Sequence, residues 1–331
     1  MEYVKIRTTN PDGATANITE LCRSITWSGD WRNATRTLSF SPVVSDSDTN
    51  LPRAPTELGG SAQFWHGSTL LMDAYSLERT RDSLGSTIDV VAYDKGLYLT
   101  RNSKYMRVEE QTPEAVTAAL CGEYGIETGE LAATGVAITR NFLGVNLYKI
   151  IMTLYTLAAD QTGKKYRIRF RGSKLEVVEM AQSAETIVLK PGSNLLSCVT
   201  KESASRMTNS VAIYDDQFNL VTTEEDSEAS ALYGLMQTAI KSSAYEDPVA
   251  HAKKILAENG LQTNITVNAL GNLKLITGNT VAVHEPVTDT YGLFWIISDT
   301  HTWRRNVHQT KLTLSLEALM DSQTAGSLPT E

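Results

Sequence analysis

The chain has 331 residues, enough for two or three folding units. With 41% hydrophobic and 21% charged residues, it is expected to be neither disordered nor membrane-spanning. A net charge of −8 opposes general nucleic-acid binding, which needs excess cation to neutralise phosphate. Met1-Glu2-Tyr3-Val4-Lys5 runs into polar sequence, so no signal peptide is expected. Three cysteines (Cys22, Cys121, Cys198) stand far apart and read as separate thiols in a reducing compartment.

The first hundred residues read as β-structure. Tyr3, Val4 and Ile6 begin a strand, and Pro11-Asp12-Gly13 makes a turn. Ile25-Thr26-Trp27 and Thr35–Phe40 form a hairpin around a short polar connection, followed by a long loop from Pro42 to Gly60. Further strands are expected at Ala62–Trp65, Thr69–Leu77 and Thr87–Ala92, with Tyr93–Gly96 turning into an extended Leu97-Tyr98-Leu99. Short strands at this spacing, with 39 threonines in the chain, point to a barrel or sandwich.

The middle changes period. Thr112-Pro113 opens a helix carrying Val116, Leu120 and Tyr124 and closed by Gly125. A second helix starts near Asn146, carries Ile150, Leu154, Leu157 and Ala158 on one stripe, and stops at Gly163. Tyr166–Phe170 alternates strictly, Gly172-Ser173 turns, and Leu175–Val177 returns.

Strands resume at Thr186–Leu189, Leu195–Glu202 and Ser210–Asp215. The acidic stretch Glu224, Glu225, Asp226, Glu228 reads as a solvated helix N-terminus. That helix carries Leu232, Leu235, Met236, Ala239 and Ile240; another starts at Asp247-Pro248, shows Val249, Ala252 and Leu256, and ends at Asn259-Gly260. Strands at Ile265–Val267, Leu273–Ile276, Val281–His284, Phe294–Trp303 and Thr310–Ala318 complete the fold, and the tail after Asp321 is expected to fray.

Chemistry is sparse. Asp299, His301 and His308 make the best cluster, and a hydrogen-bonded pair on a half-buried sheet accounts for it better than a metal, which needs three or four converging ligands. No nucleophile elbow or phosphate loop is present. Arg167, Arg169 and Arg171 share one face of their strand, a candidate docking strip for an acidic partner surface or a nucleic acid and equally a solvated outer face. Trp31-Arg32-Asn33 and Trp303-Arg304-Arg305-Asn306 each precede a Thr-rich strand, a short internal similarity of the kind two related β-domains leave.

Ile25–Trp31, Arg36–Phe40, Ala92–Leu99, Asn209–Asp215 and Trp295–Thr302, taken in order, resemble the baseplate hub proteins of contractile phage tails and phage-tail-like bacteriocins, in the branch found in prophages of Gram-positive bacteria. The resemblance implies a mainly β chain with α+β insertions: two tube-protein-like β-barrel or sandwich domains separated by a small α+β unit. Its divisions are 1–105 for the first β-domain, 106–184 for the α+β unit, 185–222 with 261–320 for the second β-domain, 223–260 for a helical insertion and 321–331 for a flexible tail. It further implies a non-enzymatic homotrimeric ring, assembled in the bacterial cytoplasm and placed in the particle's baseplate. The ring would join the hexameric tail tube to the trimeric spike and to surrounding baseplate proteins, with DNA free to pass through. No cofactor, metal, membrane or specific nucleic acid is expected. Trp31, Arg32, Asn33, Trp303, Arg304, Arg305 and Asn306 are the candidate interface residues, since Trp and Arg most often anchor interfaces. The alternative is a tail-associated protein that binds or hydrolyses peptidoglycan.

Overall fold

The computed structural model describes residues 4–45, 47–242, 247–305 and 307–328. The first strands are β1 (Val4–Thr9), β2 (Thr15–Asn17), β3 (Cys22–Asp30), β4 (Thr37–Pro42), β5 (Ser61–His66), β6 (Thr69–Arg81) and β7 (Ile88–Asp94). The middle holds α1 (Gly96–Arg101), β8 (Ser103–Gln111), α2 (Pro113–Glu123), β9 (Thr128–Leu131), β10 (Ile138–Asn146), α3 (Leu147–Thr162), β11 (Tyr166–Arg171) and β12 (Lys174–Glu179). The last part holds β13 (Ile187–Leu189), β14 (Leu195–Ser203), β15 (Ser210–Tyr214), β16 (Leu220–Glu225), α4 (Ser227–Tyr233), β17 (Gln237–Lys241), α5 (Pro248–Glu258), β18 (Gln262–Leu270), β19 (Thr280–Glu285), β20 (Thr290–Arg304) and β21 (Val307–Ser315).

The chain forms two compact units, one of Met1–Cys198 and Thr266–Glu331, the other of Val199–Ile265. The fold is mainly β, built on a large, mostly antiparallel sheet ordered β14-β18-β21-β20-β3-β4-β7-β6-β5-β1-β2. Among the described residues this path does not close into a barrel. One step of this path is β3 against β20, antiparallel, with Trp27 opposite His301 and Thr26 opposite Thr302. That step joins strands from the two ends of the chain.

Alternation explains the sheet's core. Leu38 and Phe40 on β4, Val90 and Ala92 on β7, and Ala62 and Phe64 on β5 all point one way and are buried. They pack with Ile6, Ile25, Trp27, Met72 and Trp303. A second apolar core surrounds α3, which buries Leu147, Ile150, Ile151, Leu154, Tyr155 and Ala158. Both expected caps of α3 form. The Asn146 side chain accepts from the Lys149 N–H at 2.8 Å, and Gly163 takes the left-handed conformation at φ 72°. The expected hairpin from Tyr166 forms as β11–β12, with Ile168 opposite Val177.

In the Val199–Ile265 unit, β15 lies between β16 and β17, and α5 covers one face through Val211, Ile213 and Ala252.

Four segments differ from expectation. Leu97–Leu99 is helical, because the buried Asp94 carboxylate accepts from the Gly96 N–H at 2.9 Å and starts α1. The long helix expected through Leu232–Ile240 stops at Tyr233, where Gly234 turns at φ 82°. Residues 237–241 instead add a strand parallel to β15, which pairing to a neighbouring strand decides against local spacing. Within the acidic stretch, Glu224 and Glu225 belong to β16, and Asp226 caps α4 by accepting from the Ala229 N–H. Leu273–Ile276 is a turn rather than a strand. The Asn272 side chain accepts from the Lys274 N–H at 3.0 Å, and the Leu275 N–H donates to the Asn272 carbonyl.

The tail past Asp321 is pinned as far as Ser327. Asp321 accepts from the Tyr148 hydroxyl at 2.6 Å, and the N–H groups of Gln323 and Ala325 donate to Thr156 and Thr153 on α3. Ser327 and Asn141 exchange backbone hydrogen bonds, and Arg140 donates to the carbonyls of Ala325 and Gly326. Tyr3, the first residue of the expected opening strand, lies outside the described residues.

Candidate functional site

The densest polar cluster sits where the β3–β4 connection meets β20. Strand alternation puts Asp299 and His301 on the same, inward face of β20, both fully buried. Arg36, just before β4, reaches across β3 and binds Asp299 with both ends of its guanidinium. The same guanidinium lies over the Trp27 ring, 3.9 Å from the centroid. Asp299 Oδ1 also accepts from the Thr277 N–H at 2.7 Å and from the Thr277 hydroxyl at 2.6 Å. Burial pushes the Asp299 carboxyl up, but the charge and hydrogen bonds of Arg36, with help from His301 and Thr277, hold it below the usual value.

His301 lies between this ion pair and an aromatic cluster. Its Nε2 is 3.1 Å from the Leu275 carbonyl, which can only accept, so Nε2 carries the proton. Nδ1 is then the acceptor for the Thr310 hydroxyl at 3.2 Å and for His308 Nε2 at 3.1 Å. Burial lowers the His301 pKa to about 4, so the ring is neutral near pH 7. Trp27, Trp303 and His308 pack around it, Phe64 packs on both tryptophans, and Trp303 stacks on His308 with ring centroids 4.1 Å apart. Asp299 and His301 at its centre are closed to solvent, while Arg36 and His308 at its edges are partly exposed. Among the described residues, no three His, Cys, Asp or Glu side chains converge as a metal requires.

The expected interface residues divide. Trp31 is half-buried, its N–H bonded to the Ile297 carbonyl at 2.9 Å, with Arg32 over its ring. Arg32 and Asn33 are exposed, as are Arg304 and Arg305, whereas Trp303 is buried in the core. Asn306 lies outside the described residues. The two corners stand at opposite ends of the β3–β20 pair, since Asp30 faces Ser298 and Ser24 faces Arg304.

The basic strip divides too. Arg167 turns inward and donates to the Thr277 carbonyl at 2.6 Å. Arg169 binds Glu176 at 2.6 Å, and only Arg171 projects mostly into solvent. Burial and the neighbouring cations Arg169 and Arg36 lower the Arg167 pKa to about 10. Sequence spacing reveals neither Arg36 nor Thr277 as partners of Asp299, because both contacts come from the tertiary fold.

Solved structures share this architecture. The 43 kDa tail protein of prophage MuSo2 from Shewanella oneidensis is 12% identical, with a TM-score of 0.69 over 94% of this chain and 98% of its own. A tail protein from Neisseria meningitidis MC58 is 13% identical, with a TM-score of 0.68 over 97% and 99%. The E. coli protein c3393, described as a type VI secretion system component similar to the T4 tail proteins gp27 and gp5, is 11% identical, with a TM-score of 0.53 over 93% of this chain and 76% of its own. The fold is therefore that of phage tail proteins. By sequence the chain belongs to the YQBQ-like family, whose model matches residues 25–315. No curated protein matches it.

Proposed function

We propose that this chain is a structural baseplate hub of a contractile tail or related injection system. Three copies close a ring that joins the hexameric tail tube to the trimeric spike and the surrounding baseplate. The carrying observation is the β3–β20 pairing, which sets strands of residues 1–105 beside strands of 261–320 in one sheet. Two β-modules side by side in each chain let a threefold ring offer six similar positions to a sixfold tube, since closure requires matching repeats. Its likeness to a protein itself compared with gp27 and gp5 supports the same reading. The exposed corners at Arg32-Asn33 and Arg304-Arg305 are the proposed contacts with neighbouring tail proteins. The role is architectural rather than catalytic.

Electron microscopy of tail particles carrying an affinity label on this chain tests the proposal. Label at the tip of the tube, and bare unattached tubes when the chain is deleted, are expected. Label along the tube or sheath, or a clearing band when the purified chain is run through a peptidoglycan gel, would oppose it, the second in favour of a cell-wall activity.

A further inference from the structure

We propose that Phe218, on the turn between β15 and β16, anchors one copy of this chain to the next by entering an apolar groove bounded by Val44, Leu51, Ala54 and Ile88. The inference rests on the ring reading above and names a contact between its copies. Phe218 is 87% exposed and sits at φ 65°, in the left-handed region that bulky side chains ordinarily avoid and glycine or asparagine fills. The turn holds it there. The Asp215 carboxylate accepts from the N–H groups of Gln217 at 2.9 Å and Asn219 at 2.8 Å, and the Phe218 N–H donates to the Asp215 carbonyl at 3.2 Å. Leu220 and Val221, next on β16, are more than half exposed. At such exposure the ring gains almost no packing that could offset the strained backbone, whereas aromatic knobs of this kind anchor interfaces.

The groove lies in the other unit, where the end of β4, residues 51–54 and the start of β7 meet. It encloses about 200 Å³, and a cavity of about 150 Å³ already admits benzene, so a phenyl side chain fits. Its charged lining residues are Arg53 and Arg81. The Phe218 turn is their complement. Asp216 is paired with Lys241 at 2.6 Å, while the partners of Asp215 are the neutral groups of Gln217 and Asn219, so the turn carries net negative charge. Two other surface grooves fit less well. That of Leu195, Leu196 and Val287 carries Glu285, and that of Arg304, Arg305 and Lys311 has Val307 as its one apolar residue. Because knob and groove are different surfaces, the contact is heterologous, the kind whose repetition closes a ring.

Cross-linking and assembly of the full chain test this. A chain carrying both Phe218→Cys and Leu51→Cys should give disulfide-linked dimers and trimers on mild oxidation, and neither single variant should. In a mixture of heavy-isotope and light-isotope chains, the peptide joining positions 218 and 51 should carry both isotopes. Phe218→Gly should raise the concentration for half-assembly about tenfold or more. Its melting temperature, read below the assembly concentration, should stay level or rise, because the strain leaves with the ring; a merely structural residue would lower it. Assembly undiminished in Phe218→Gly, or a joined peptide confined to one isotope, would overturn the contact and leave the hub reading standing. A lone chain at every concentration would overturn both.

Discussion

Arg36 and Asp299 lie 263 positions apart in the chain, yet they meet as a two-pronged ion pair behind the strand that separates them. Removing either leaves the other as an unpaired buried charge. Arg36→Ala and Asp299→Ala should each cost about 3–5 kcal/mol in chemical denaturation. The double variant should cost much less than the two losses added together, because the first change already removes the pair. Additive losses would mean the two side chains act independently.

The pH dependence of stability carries two opposed contributions. His301 is held neutral with a pKa of about 4, below its ordinary 6.5, so between those values the unfolded chain binds the extra proton. That contribution, about 3 kcal/mol at most, is complete above pH 6.5 and is lost as pH falls toward 4. Asp94 runs the other way. Burial raises its pKa to about 7 against the N–H groups of Arg36 and Gly96 and the Arg36 charge, so its contribution is complete below pH 4 and lost as pH rises through 7. The native chain should therefore show a shallow profile between pH 4 and 7. Asp94→Asn should tilt it so that stability climbs with pH, and His301→Gln should tilt it the opposite way. Urea titrations at half-unit pH steps read both slopes.

Two glycines should respond oppositely to alanine. A Cβ on Gly271 would fall 1.9 Å from the His308 ring, which stacks on Trp303 and cannot swing away cheaply. Gly271→Ala should cost about 1–3 kcal/mol through that clash. Gly122 sits within α2 with nothing near its missing Cβ, so Gly122→Ala should raise stability by about 0.5–1 kcal/mol. Paired melting curves check both signs.

Truncation after Met320 should lower the melting temperature. It removes the partners of Tyr148, Thr153, Thr156 and Arg140 and uncovers apolar surface beside α3. Tyr148→Phe alone should cost about 1 kcal/mol by leaving Asp321 short of a donor. An unchanged Tm in the truncated chain would show the tail contributes nothing.

Legibility followed the range of the forces involved. The α3 boundaries could be read because Asn146 and Gly163 act within one turn, and the β11–β12 hairpin because alternation and Gly172-Ser173 agree. Residues 237–241 could not, since their apolar spacing suits a helix and only pairing to β15 makes them a strand. At the site, the shared face of Asp299 and His301 followed from strand period alone. Arg36 as the charge partner did not, because no local pattern reports a contact closed by the whole fold. The inward turn of Arg167 was hidden for the same reason: alternation gives the face of a strand, not what covers it.

In the proposed function, the β3–β20 join is what would let one chain supply two adjacent modules to a closed ring. Native mass spectrometry of the purified chain, alone and mixed with tail-tube protein, measures this most directly. A mass of three chains that gains a sixfold set of tube subunits is the expected result. A lone chain at every concentration, indifferent to the tube protein, would contradict it.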